Sequence, residues 1–215
     1  LLEGTSDDED LILFASRGDV VQTGAGGDDV LVGSDRADVL SGSDGDDVLT
    51  GNERGDLLNG DGGDDVAFGG VGSDTINGGT GEDRLFGERG NDVVDGGDGN
   101  DDVFGGVGRD TVLGGAGDDA LDGGTGADTL DGGEGNDVIT GGEGADTFEF
   151  GGGFGVDVIL DFTVGVDALV FTNATLAELT FTETVNGTDV TATGTDTGTV
   201  SLDGVFGFGA DDLIV

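Results

Sequence analysis

The sequence predicts an all-β fold: a parallel β-roll, that is, a two-sheet β-solenoid of nonapeptide repeats, with a C-terminal β cap. Three observations predict it. A nine-residue frame runs without a gap over residues 24–149, fourteen copies in all. Within the frame Gly and Asp recur at fixed phase, and one position is always apolar. After residue 149 the period vanishes, and Phe-rich, strand-like segments replace it.

The repeat is clearest at residues 123–131 (GGTGADTLD) and 132–140 (GGEGNDVIT). Position 1 is Gly in all fourteen copies. Position 6 is Asp in all fourteen: Asp29, Asp38, Asp47, Asp56, Asp65, Asp74, Asp83, Asp92, Asp101, Asp110, Asp119, Asp128, Asp137 and Asp146. Position 4 is Gly in twelve, with Arg36 and Arg54 the exceptions. Position 8 is apolar throughout, from Leu31 to Phe148, with Ala67 the smallest. The last three residues of a copy make a short strand whose middle side chain points inward. The six before it must reverse the chain, and Gly at positions 1, 2 and 4 is expected to supply positive φ and a close backbone approach. Two copies then form one turn. Copies eighteen residues apart stack at about 4.8 Å, which gives seven turns and a roll of roughly 34 Å.

The flanks complete three units: residues 1–23, 24–149 and 150–215. Residues 1–23 read as degenerate repeats or an N-terminal cap, because Asp10 and Asp19 are nine apart and are followed two residues on by Ile12 and Val21. The step from Asp19 to Asp29 is ten, a slip of one. Residues 150–215 read as the cap that a solenoid needs. Strand-like segments fall at 156–162, 168–171, 179–185, 190–193 and 200–202, and Asn186-Gly187 reads as a hairpin turn.

Composition excludes several functions. Six Arg against 48 acidic residues leave a net charge of −42, which cannot hold a nucleic-acid backbone. No apolar run reaches eighteen residues, so no membrane span is expected. Without His, Cys or Lys there is no catalytic triad, zinc helix, Walker lysine or Schiff base, and no catalytic constellation is assigned. The natural counterion for so many carboxylates and backbone carbonyls is a hard, oxygen-seeking cation such as Ca²⁺. Ice binding is disfavoured, because position 3 carries Thr only at Thr80 and Thr125.

The frame G-G-x-G-x-D-x-U-x resembles the repeat-in-toxin (RTX) calcium-binding nonapeptide family. That resemblance implies Ca²⁺ held between stacked Gly-rich loops by position-6 carboxylates and loop carbonyls. Asp29 would share an ion with Asp47, Asp38 with Asp56, and so on, for at most twelve inter-loop positions. Arg36 and Arg54 depart from the pattern beside the Asp38–Asp56 position. The acids at positions 3 and 5, such as Asp44, Asp46 and Asp118, are expected to be solvating charge. Two inward side chains per eighteen residues make a thin core, so folding is expected to depend on calcium.

The run FEFGGGFGVDVILDFTVGVDALVF (148–171) resembles the cap of type I-secreted proteases and lipases, and the ending Asp212-Leu213-Ile214-Val215 is similar to their secretion signal. The resemblance implies an extracellular protein that uses the type I secretion machinery. Residues 1–10 carry no basic region, so no cleaved signal peptide is expected there. The alternatives are the non-catalytic C-terminal part of a secreted metalloprotease or lipase, or an adhesin.

One feature lies outside the family pattern. Phe68, Phe86 and Phe104 fall at position 9, eighteen residues apart, on one outer face. Val30, Val48 and Val66 at position 7 and Val32 at position 9 share that face. Two readings stand: stacked strand residues, or a docking face for a preceding domain, a second copy or the folded-back cap.

Overall fold

The computed structural model describes residues 2–3, 11–14, 18–172, 179–183, 187–193 and 197–205. The described residues form strands and turns in two sheets, one of ten strands and one of thirteen. Through the repeats, successive strands alternate between the sheets, so the chain winds as a solenoid. Each repeat strand pairs in parallel with the strand eighteen residues on, as in Leu85↔Val103 on one sheet and Val94↔Val112 on the other. The roll expected from the sequence is the fold observed.

Local alternation sets what is inside. In Thr129–Glu134 the first four residues are half-buried, buried, half-buried and buried, because successive strand side chains face opposite ways. Position 8 is therefore interior. Leu31, Leu49, Ala67, Leu85, Val103, Leu121 and Ile139 stack beneath one sheet, and Leu40, Leu58, Ile76, Val94, Val112, Leu130 and Phe148 beneath the other.

The N-terminal flank corrects the sequence reading. Leu13 pairs with Leu31 and Gln22 with Leu40, so the eighteen-residue step reaches back through residues 12–23, whereas Leu2 lies opposite Gln22, a step of twenty. Gln22 is fully buried, whereas Ile12 and Val21 point outward at 66% and 43% exposure. The rung residues are Leu11 and Val20, whose amides donate to Asp29 Oδ1 and Asp38 Oδ1 at 2.7 Å. Ladder register outweighs the spacing of Asp10 and Asp19, and Asp10 itself lies outside the described residues.

Beyond residue 149 the sheets go on although the period does not. Gly155–Ile159 pairs in parallel with Val138–Thr140, and Ala168–Phe171 with Thr147–Phe150. Gly198–Asp203 adds one more parallel strand, and Gly187–Ala192 and Leu179–Glu183 finish that sheet as an antiparallel meander. Phe148, Phe150, Phe154, Phe162 and Phe171 fill the interior here, with ring centroids 5.1–5.9 Å apart. Asn186, Phe206, Phe208 and residues 212–215 lie outside the described residues.

Candidate metal centre

The fourteen position-6 aspartates are all buried, each no more than 4% exposed. Each closes a Gly-rich loop and precedes a strand, which turns its carboxylate into the roll. From Asp47 on, one oxygen, Oδ1, accepts the backbone N–H of the aspartate one turn earlier. The distance is 2.7 Å from Asp29 to Asp47 and 2.9 Å from Asp128 to Asp146. The structure thus brings the predicted residues together as two columns of rungs.

The second oxygen differs. Oδ2 of Asp47, Asp56, Asp65, Asp74, Asp83, Asp92, Asp101, Asp110, Asp119, Asp128 and Asp137 is buried with no hydrogen-bond partner. A buried unpaired carboxylate oxygen is costly and demands a proton or a cation. Burial accordingly pushes Asp56, Asp65, Asp92 and Asp119 up to about 7, with nearby carboxylates adding to the rise and the backbone N–H opposing it. Asp47, Asp83 and Asp128 rise to about 6 for the same reasons.

The invariant Gly at position 1 makes room for this oxygen. These glycines do not take positive φ, contrary to the expectation for position 1; positions 2 and 4 do, as at Gly133 (94°) and Gly135 (150°). What position 1 provides is space. A Cβ on Gly105 would lie 3.0 Å from Asp110 Oδ2 and 2.7 Å from the Gly123 carbonyl oxygen. On Gly123 the same point lies 3.0 Å from Asp128 Oδ2 and 2.6 Å from the Gly141 carbonyl oxygen. Any side chain would fill a cradle lined by a carboxylate and a carbonyl one turn on.

These donors fit a hard cation. They are all oxygen, and the chain holds no His or Cys to favour zinc. No three acidic side chains converge on one point among the described residues. In a shell of about six to eight oxygens shared by two such carboxylates, the remaining ligands would be backbone carbonyls and water.

The first position of one column is different. The Ser34 N–H donates to Asp38 Oδ2 at 2.5 Å, and the Ser34 hydroxyl lies 3.0 Å from the same oxygen. Asp38 is satisfied by protein alone. Arg36 turns out to the surface, 3.8 Å from Asp19, while Arg54 takes the left-handed conformation (φ 76°) that Gly provides elsewhere.

Position 5 has a role beyond solvation. Exposed Asp46 and Asp118 accept the N–H of Asp64 and Asn136, each at 2.9 Å, linking successive turns at one edge of the roll. Three further aspartates were missed in the sequence. Asp157 and Asp167 accept the N–H of Asp137 and Asp146 at 3.0 Å, and Asp161 accepts those of Gly141 and Gly142 at 2.9 and 2.8 Å. The available signal was an Asp followed two residues on by an aliphatic, at Asp157–Ile159 and Asp167–Leu169.

The sequence profile described as RTX calcium-binding nonapeptide repeat (4 copies) matches residues 23–53, 50–85, 77–112, 95–130, 113–148 and 122–159. No curated protein matches the chain. Among solved structures it is similar to the AlgE6R3 subunit of the mannuronan C5-epimerase of Azotobacter vinelandii, at 28% identity and TM-score 0.40, over 54% of this chain and 77% of that one. It is also similar to the extracellular lipase LipA of Serratia marcescens, at 19% identity and TM-score 0.36, over 93% of this chain but 40% of the lipase.

Proposed function

This chain belongs to the RTX calcium-binding nonapeptide repeat family, a calcium-binding β-roll, and we propose that the position-6 aspartates named above are its ligands. The observation that carries this is the run of buried Oδ2 atoms without hydrogen-bond partners, repeated at each rung from Asp47 to Asp137. Each pair of successive rungs in a column, such as Asp101 and Asp119, would share one Ca²⁺ with loop carbonyls. Bound there, the ion supplies charge neutralisation to carboxylates that otherwise oppose stacking. The Asp38 rung, closed by Ser34, is the weakest candidate.

The same reading extends to the biology. Extracellular calcium modules bind at about 10⁻⁴–10⁻³ M. With that affinity the chain stays unfolded where calcium is scarce, as passage through the type I secretion machinery requires, and folds outside the cell. The three units at residues 1–23, 24–149 and 150–215 then act as N-terminal turns, calcium roll, and cap with secretion signal. No catalytic step is assigned to the chain; a catalytic or adhesive domain of the same protein would be the cargo that the roll serves. Phe68, Phe86 and Phe104 stack at 5.0 and 4.9 Å between centroids, half-buried on the outer face, and are proposed as the contact for such a domain or a second copy.

Equilibrium dialysis with calcium measured by atomic emission tests the ligand assignment. At millimolar Ca²⁺ the full chain should hold close to the twelve ions that its fourteen loops allow. Binding of one or two ions would overturn it.

A further inference from the structure

We infer that one calcium column runs past the last periodic repeat, and that Asp137 and Asp157 hold a further Ca²⁺ between the final nonapeptide turn and the strand that follows it. The inference rests on the calcium reading above and adds a site outside the fourteen-residue set.

Asp157 follows Asp137 by twenty residues instead of eighteen, which hides it from the repeat frame. The strands nevertheless keep register, with Val138 opposite Val158 and Ile139 opposite Ile159. Asp157 therefore precedes its strand pair as Asp137 precedes its own. The Asp137 N–H donates to Asp157 Oδ1 at 3.0 Å, the contact that defines every earlier rung. The extra length is absorbed before the strand, where Gly152 and Gly153 turn with φ of 77° and 133°.

The second carboxylate oxygen points to a ligand. Asp157 is fully buried, Asp137 is 1% exposed, and Oδ2 of each is without a hydrogen-bond partner. Two buried carboxyl groups on successive rungs, each with an unpaired oxygen, call for a cation or a proton.

The other column ends in the opposite way. Asp167 follows Asp146 by twenty-one residues and accepts its N–H at 3.0 Å, but its Oδ2 accepts the Thr163 N–H at 2.7 Å. Beside it, Asp161 spends both oxygens on the amides of Gly141 and Gly142. That end is closed by protein hydrogen bonds, while the Asp137–Asp157 end keeps oxygens directed at an ion.

The test compares Asp157→Asn and Asp119→Asn with the wild-type full chain. Calcium per chain is counted by equilibrium dialysis, and the folding midpoint is read by circular dichroism. The amide introduced by Asp157→Asn retains an oxygen for the Asp137 N–H but removes a charge. Asp157→Asn should fold in excess calcium, bind one ion fewer than wild type, and show a midpoint raised several-fold. If it keeps the wild-type count while Asp119→Asn loses ions, the pair shares a proton and the inference fails alone. If the wild type binds no calcium, the ligand assignment fails with it. Should Asp157→Asn not fold, anomalous scattering from wild-type crystals grown in calcium reads the position directly. A peak between the two carboxylates supports the site, and peaks only at inner turns overturn it.

Discussion

The backbone N–H of Asp101 donates to Oδ1 of Asp119 at 2.8 Å, while Oδ2 of Asp119 is buried and unpaired. One side chain thus ties two turns together and keeps one buried oxygen unpaired. Its neighbour Asp118 is exposed and accepts hydrogen bonds from Asn136. Asp119→Ala should raise the calcium midpoint of folding by about tenfold, the loss of roughly 1.4 kcal/mol expected for a charged ligand contact. Asp118→Ala should shift it less than about twofold. Paired calcium titrations followed by circular dichroism decide it, and a larger effect at Asp118 would reverse the assignment.

Metal-free protein should respond to acid. Burial raises Asp56, Asp65, Asp92 and Asp119 from 3.8 to about 7 and Asp157 to about 8 in the folded state. A carboxyl with a raised folded pKa favours folding when protonated. That stability is fully present below the unfolded value near 3.8 and is lost as pH rises through about 6 to 8. In excess chelator, β content at pH 5 should exceed that at pH 8. Equal spectra at both pH values would show that the buried carboxylates do not control folding.

Much of this was legible because the repeat is redundant. Fourteen aspartates at one phase marked the two columns, and the apolar phase marked the interior. The stacking of Phe68, Phe86 and Phe104 followed from their eighteen-residue spacing. What escaped was whatever depends on space or on register beyond the period. The role of Gly105 or Gly123 is room beside a carboxylate, which looks in sequence like any turn glycine. Leu11 and Val20 hold rung positions without an Asp to mark them, and two or three inserted residues displace Asp157 and Asp167 from the frame.

Backbone substitutions should separate a glycine held at positive φ against a neighbouring turn from one that is not. Gly133 has φ of 94°, and an added Cβ would run into the Gly115 carbonyl oxygen one turn away. Gly133→Ala should cost on the order of 3 kcal/mol. At Gly26 the nearest atom to an added Cβ is the Asp44 carbonyl oxygen at 3.8 Å, and Gly26→Ala should stay within about 0.5 kcal/mol. Thermal unfolding in saturating calcium measures both.

The aromatic ladder should be separable from folding. Arg84 lies 5.9 Å from the Phe86 ring centroid and is paired with Asp102 at 3.2 Å, so the outer face carries apolar area on an otherwise acidic roll. Replacing Phe68, Phe86 and Phe104 together with Thr should leave calcium-induced folding within about twofold of wild type, since none is in the interior. It should weaken self-association or interdomain contact in sedimentation velocity. A wild-type chain that sediments as a monomer and binds no neighbouring domain would reduce the ladder to strand packing.

The proposed role of calcium between the aspartate rungs is to keep the roll together. Far-UV circular dichroism of the full chain at about pH 7.5, in millimolar Ca²⁺ and then in excess chelator, tests it most directly. A β spectrum is expected with calcium, and its collapse to a largely unordered one without. A β spectrum that survives chelation unchanged, with no ion left bound, would contradict it.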